Sequence, residues 1–230
     1  MQPKIVKLPS GRLNLETINY SLQTVEENWS QIDDWLDQKG IGRKDTPFTA
    51  TIRAQMMSAF QLVDDLLEQQ MPPFSPESIK YMLTLNERVH YGTNQRLIAE
   101  YAKAIQATAE KFHQQIEPLQ NWYEVHTRRG DHPLKVAAEI YVSILGYPQL
   151  YIEGNHRTGS LIADWISVYN GFPPFVLSVD NAIAYFAPSA EIKKFTIKST
   201  WRGQFQLPKY RKSFLEFWQN HIDDQYLIQP

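Results

Sequence analysis

Apolar residues recur three and four positions apart along most of the chain, and this spacing constrains the fold more than any other feature. Ile18, Leu22, Val25, Trp29, Ile32 and Leu36 form one such stripe, the inward face of a single amphipathic helix ended by Gly40 and Gly42. Thr46-Pro47 reads as an N-cap followed by a first-turn proline. The helix it opens carries Ile52, Met56, Phe60, Val63 and Leu67 to Gln70. Met71-Pro72-Pro73-Phe74 interrupts, and Ser75-Pro76-Glu77 restarts a shorter helix in the same manner, with Ile79, Met82 and Leu83 inward and Gly92 at its close. A long helix then runs from Asn94 through Leu97, Ile98, Tyr101, Ile105, Phe112 and Ile116, with Pro118 near its end. His132-Pro133 opens another, bearing Val136, Ala137, Ile140, Tyr141 and Ile144. A further helix begins within residues 153–160 and ends at Asn170-Gly171, and a last one with Phe214, Leu215, Trp218 and Ile222 folds back onto the body. The class is all-α, with residues 89–96 and 195–207 as the two places for one short β-hairpin.

The 230 residues suffice for one sizeable core, or a core with a small accessory lobe. A formal net charge of -2 gives no global pull toward nucleic acid or anionic lipid. Residues 192–212 differ, carrying Lys193, Lys194, Lys198, Arg202, Lys209, Arg211 and Lys212 without an acidic residue. That segment, with Trp201, Phe205 and Tyr210 interleaved, reads either as a solvated rim or as a patch for phosphates or an acidic partner. The absence of cysteine excludes disulfides, thiolate metal sites and cysteine nucleophiles. No signal-like apolar region opens the chain, and no stretch reaches the ~20 apolar residues of a membrane span, so a cytoplasmic protein is expected, with a secreted effector left open. His113, His126 and His132 lack metal-ligand spacing and read as surface or capping residues. Asp33-Asp34 and Asp64-Asp65 fall on polar faces, where solvation accounts for them, and Arg129-Gly130-Asp131 reads as a turn.

Glu153-Gly154-Asn155-His156-Arg157-Thr158-Gly159 is where chemistry concentrates. A helix starts inside it, and its first N–H groups lack intrahelical partners at the positive end of the helix dipole. Gly154 allows positive φ or close backbone approach to a ligand. Arg157 adds a fork for phosphate oxygens, and Glu153 a carboxylate where Mg²⁺ would bridge protein and phosphate. Together these make a candidate phosphate cradle.

The run from Gln149 through Tyr151 and Glu153 to Ser160 resembles the signature of the Fic family, His-x-Phe-x-Asp/Glu-Gly-Asn-Gly-Arg-x-x-Arg. His132-Pro133 with Ala137-Ala138 is similar to the family's preceding helix, and Asn170-Gly171-Phe172-Pro173-Pro174 to its Gly-x-Pro-Pro exit. The resemblance covers roughly residues 130–176. It implies a Fic-like helical bundle with a central helix–loop–helix. With it the chain divides into an extended arm at 1–12, read from Pro3, Pro9 and Gly11, a helical region at 13–92 packing on the core, a Fic-like core at 93–176, and a basic helical extension at 177–230. It also implies ATP or another nucleotide as ligand and transfer of AMP, or a related group, to a hydroxyl of a target protein. Glu153 would hold Mg²⁺, Asn155 would position the α-phosphate, the backbone of 154–159 (with Gly154, Thr158 and Gly159) would form the anion hole, and Arg157 would meet the outer phosphates. Tyr151 stands at a core phenylalanine position and needs a partner for its hydroxyl.

Three departures qualify the resemblance. Gln149 occupies the place of the family's catalytic histidine and supplies no base near neutral pH, a loss of ~10²–10⁴-fold. His156 replaces the second glycine, disfavouring positive φ there, and Ser160 replaces the final arginine. His156 is therefore a candidate displaced base beside Gln149. The alternative is a catalytically inactive Fic scaffold that binds an acidic partner or nucleic acid through the basic segment. An inhibitory Ser/Thr-x-x-x-Glu-Gly/Asn motif is only shadowed by Gln23-x-x-x-Glu27-Asn28, which an amphipathic helix explains.

Overall fold

The computed structural model describes residues 11–42, 47–195 and 201–228, with side chains described outside 193–206. Helix α1 (Leu15–Glu27) is capped by Asn14, whose side chain accepts from the Thr17 N–H at 3.1 Å. The single helix expected over the first apolar stripe is two, because α2 (Trp29–Gln38) starts after a break at Asn28 with φ −104° and ψ 12°. There the Asn28 amide donates to the Thr24 carbonyl at 2.8 Å, a local bond of the kind that competes with the helical ladder. The stripe continues across the break, and Ile18, Leu22, Val25, Trp29, Ile32 and Leu36 are all buried.

Helix α3 (Ala50–Glu68) is capped by Thr49, not by Thr46, which lies outside the described residues. Helix α4 (Ile79–Tyr91) begins later than Ser75-Pro76 suggested, since the Ser75 carbonyl accepts from the N–H groups of Ser78 and Ile79 and closes a turn first. Gly92, at φ 59°, ends α4 as expected. The long helix is divided at Tyr101 into α5 (Gln95–Glu100) and α6 (Ala102–Arg128). Pro118 lies well inside α6 and does not end it. Burial of Phe112, Ile116 and Tyr123 on both sides of the proline carries the helix over the missing N–H.

Helices α7 (Pro133–Leu145) and α8 (Asn155–Tyr169) are the centre of the molecule. Ten residues of α7 and twelve of α8 are buried, so neither has a wide solvent face. They pack closely because Gly159 has no side chain: a Cβ there would lie 3.2 Å from Tyr141 and 3.4 Å from Ile144. Helices α3 and α4 cover α8, while α9 (Ala182–Phe195) meets α2 and α10 (Trp201–His221) covers α7. Phe214 and Trp218 of α10 are fully buried, so this helix does fold back onto the body. One hydrophobic cluster runs from Leu13 to Tyr226.

The described fold is all-α apart from one antiparallel strand pair, β1 (Arg12–Leu13) with β2 (Leu227–Ile228), and an isolated antiparallel bridge between Phe175 and Ile222. The strand pair replaces both expected hairpin positions. Residues 89–96 are the end of α4, a Gly92 turn and an α5 start capped by Asn94, while 201–207 belong to α10 and 196–200 lie outside the described residues. Asp64 anchors the first of these strands, and it also corrects the expectation of a solvated carboxylate. It is 3% exposed, accepts from Arg12 Nε at 2.9 Å and from the Leu13 N–H at 2.8 Å, and so pins β1 to α3. Asp33 is buried as well. Residues 1–10 of the N-terminal arm lie outside the described residues, and no described helix is long and apolar enough to cross a membrane.

Candidate functional site

The loop from α7 to α8 is built around Asn155, the first residue of α8. Its Oδ1 accepts from the Tyr151 N–H at 2.9 Å, and its Nδ2 donates to the Tyr151 carbonyl at 3.0 Å and to Gln149 Oε1 at 3.4 Å. Gln149 in turn donates to the Leu145 carbonyl at 3.3 Å, closing the end of α7. Tyr151 is fully buried against Phe112, with ring centroids 5.5 Å apart, and its hydroxyl donates to the Met82 carbonyl at 3.1 Å. The partner its hydroxyl required is thus a helix carbonyl of α4. The amides of Gln149 and Asn155 are engaged in shaping the loop.

Gly154 is the N-cap of α8 at φ 74° and ψ 5°, a left-handed conformation that glycine adopts at little cost. A Cβ there would lie 2.4 Å from His90 Nε2 and 2.8 Å from Asn86 Nδ2. These two α4 residues, one helical turn apart, support the loop from below. Asn86 Nδ2 lies 3.0 Å from both the Glu153 carbonyl and Thr158 Oγ1. His90 also hydrogen-bonds the Glu153 backbone, and its pKa is lowered by burial first and by the Arg157 charge second. Neither residue was singled out in the sequence. Their i, i+4 spacing shows that they share a face of α4, but nothing local shows that this face meets residues 153–158.

The positive φ expected to strain His156 falls on Gly154 alone in this loop, and His156 sits within the regular first turn of α8. Its Nδ1 lies 3.2 Å from the Tyr141 hydroxyl, and its carbonyl accepts from the Tyr185 hydroxyl at 3.3 Å. Arg157 Nη1 donates to the Val89 carbonyl at 2.5 Å, near the C-terminal end of α4. The Thr158 N–H is bonded to the Gly154 carbonyl at 2.9 Å, and Gly159 serves the α7–α8 contact. Within the expected cradle of residues 154–159, the Thr158 N–H is thus engaged inside α8. Gly154 contributes no capping side chain to it. Ser160 donates to the Arg157 carbonyl at 3.0 Å.

The first turn of α8 opens on a cavity of about 750 Å³. Its lining combines polar Gln149, Glu153, His156 and Arg157 with apolar Trp29, Phe48, Ile52 and Phe186. Glu153 is exposed and also borders a second cavity of about 500 Å³, where Tyr91 and Tyr101 stack 5.3 Å apart. Among the described residues no cluster of three or more His, Cys, Asp or Glu side chains forms a metal cage.

His126 pairs with Asp131 at 2.6 Å and stacks on Trp122, His132 packs on Phe172 ahead of α7, and His113 meets the edge of Phe112. Gln23 donates to Glu27 at 2.8 Å as an exposed pair along α1. In the basic segment Arg211 faces Glu139 at 3.7 Å and Lys212 faces Glu216 at 3.9 Å. The side chains of Lys193, Lys194, Lys198, Trp201, Arg202 and Phe205 lie outside the described residues.

No protein-family model matches the chain, and no curated protein matches it. Among solved structures it is similar to a Fic domain containing signaling protein from Bacteroides thetaiotaomicron, at 12% identity over 88% of this chain and 83% of that chain, with a TM-score of 0.48.

Proposed function

We propose that this chain is a Fic-like protein that binds a nucleotide, ATP with Mg²⁺ or a close analogue, with its phosphates at the N-terminus of α8. The observation that carries this reading is the left-handed Gly154 cap, which presents the start of α8 to a cavity of about 750 Å³ with Arg157 on the same turn. Backbone N–H groups, the helix dipole and a guanidinium are a combination suited to phosphate. The cavity lies within the usual range of about 300–1,000 Å³ for small-molecule sites, and its apolar lining residues suit a base or sugar face. Glu153 fits a Mg²⁺ shared with phosphates, an ion commonly held by one or two carboxylates together with phosphate oxygens. Asn155, with both ends of its amide engaged in the loop, supports the cradle from behind.

The reaction class suggested by the motif is nucleotidyl transfer to a hydroxyl of a target protein. Gln149 offers no base for it, so turnover requires another proton acceptor. A catalytically inactive scaffold that only binds and regulates is the second reading. The engagement of Gln149 with Leu145 and Asn155 favours it.

Calorimetric titration of Mg²⁺–ATP into the wild type and Arg157→Ala tests the cradle. The substitution should weaken binding about 10- to 100-fold, the effect of losing a charge-assisted bond worth about 1.5–3 kcal/mol. Absence of binding by the wild type, or equal affinity in the folded variant, rejects the nucleotide site. Mass spectrometry for self-modification separates transfer from binding alone.

A further inference from the structure

We infer that His156 Nε2 is the proton acceptor of this site, held in that tautomer by a relay through Tyr141 and Ser189. The inference rests on the nucleotide-site reading for its reaction, but its structural basis is independent of any ligand. Ser189 Oγ donates to the Tyr185 carbonyl at 2.6 Å, and a carbonyl can only accept. That bond uses the one hydroxyl hydrogen of Ser189. The 3.0 Å contact between Tyr141 and Ser189 must then have the Tyr141 hydroxyl as donor. Tyr141 has spent its only hydrogen in turn, so its 3.2 Å contact with His156 requires Nδ1–H to donate to the phenolic oxygen. In neutral imidazole the lone pair then resides on Nε2.

The geometry fixes the ring as well as its protons. Tyr141 is fully buried and Ser189 is 0% exposed, so the relay is anchored in the core. The Tyr185 hydroxyl holds the His156 carbonyl, and the Tyr141 and Tyr185 rings meet the imidazole edge-on at centroid distances of 6.4 and 6.3 Å. His156 itself borders the cavity beside Arg157. Tyr141 and Ser189 are positioning residues that act through the histidine.

In the reaction, Nε2 takes the proton as the O–H bond of an acceptor hydroxyl breaks. The oxygen forms a bond to a phosphorus of the nucleoside triphosphate. The bond from that phosphorus to the departing phosphate breaks, and the departing oxygen keeps the electron pair. The base thereby enters from the first turn of α8, in a loop whose Gln149 position cannot supply it.

Nitrogen-15 NMR of the ligand-free protein at alkaline pH, where the imidazole is neutral, reads the tautomer directly. His156 should show a protonated Nδ1 and an unprotonated Nε2; the opposite assignment overturns the proposal. Ser189→Ala releases the Tyr141 proton toward Nδ1 and should shift His156 toward the Nε2–H form. Tyr141→Phe removes the acceptor and should do the same, and Ser189→Ala serves if Tyr141→Phe does not fold. An unchanged tautomer in a folded Ser189→Ala protein overturns the relay. With Mg²⁺–ATP, His156→Ala should lower transfer to water or to the chain's own hydroxyls roughly 10²–10⁴-fold, with partial rescue by added imidazole. Where Mg²⁺–ATP binds, equal turnover in wild type and variant, zero included, overturns the base. An Nδ1–H tautomer in a protein that binds no Mg²⁺–ATP supports the histidine assignment while rejecting the nucleotide.

Discussion

Two histidines flank Gly154, and their surroundings give the same side chain different work. His90 comes up from α4, hydrogen-bonds the Glu153 backbone, and has its own carbonyl held by Gln55 Nε2 at 2.5 Å. Its ring occupies the space that a Cβ on residue 154 would need. Burial and Arg157 both favour its neutral form. His156 follows two residues after Gly154, with Nδ1 on a tyrosine hydroxyl that continues into a buried serine. Both border the cavity, but a histidine bonded to loop backbone is scaffold, whereas one tied through a hydroxyl relay has chemistry to offer. The loop has a supporting side toward α4 and a working side toward α7 and α9.

The sharpest way to break that division is Gly154→Ala. Left-handed φ costs a non-glycine residue about 1–2 kcal/mol, and forcing a methyl against His90 and Asn86 adds about 1–3 kcal/mol. Urea unfolding should therefore show a loss of about 2–5 kcal/mol. A loss under 1 kcal/mol would mean that the α4 side yields easily and is no scaffold. Asn86→Ala tests the same side with a smaller effect. It removes the bond to the buried Thr158 hydroxyl and one of the bonds to the Glu153 carbonyl, for about 1–3 kcal/mol. The His156 tautomer should remain unchanged, since its relay runs through α7 and α9; a shift would show that the two sides are coupled.

What could be read in the sequence follows the range of the forces involved. The start of α8, its glycine cap and Arg157 on its first turn are local features, and the structure presents them together. The all-α class was legible because apolar periodicity survives even where a helix breaks, as across Asn28. The breaks themselves were not, because the stripe of Ile18 to Leu36 keeps its spacing through a residue that leaves helical geometry. The terminal strand pair was also hidden, since Arg12–Leu13 and Leu227–Ile228 meet across nearly the whole chain. At the site, Asn86 and His90 reach the loop from more than sixty residues upstream. Tyr141 read as one more inward residue of an apolar face. Its ring is core, but its hydroxyl reports on His156, and side-chain periodicity carries no information about that second role.

The smallest of these effects is also the most diagnostic for His90. Its folded-state pKa is lowered below the ordinary 6.5, chiefly by burial. Below pH 6.5 the unfolded chain binds a proton at this position more readily than the folded chain does. Stability is thus fully present above pH 6.5 and declines as pH falls toward the folded-state pKa. The slope from this one group cannot exceed about 1.4 kcal/mol per pH unit. Other carboxylates and histidines add their own slopes, so the informative quantity is the difference between wild type and His90→Gln, measured by urea unfolding at stepped pH. That difference should narrow as pH drops, because glutamine does not titrate. If it stays constant with pH, protonation of His90 is no harder in the folded chain than in the unfolded one. The ring packed against Gly154 would then accept charge freely, and the supporting side of the loop would differ less from the working side than its contacts indicate.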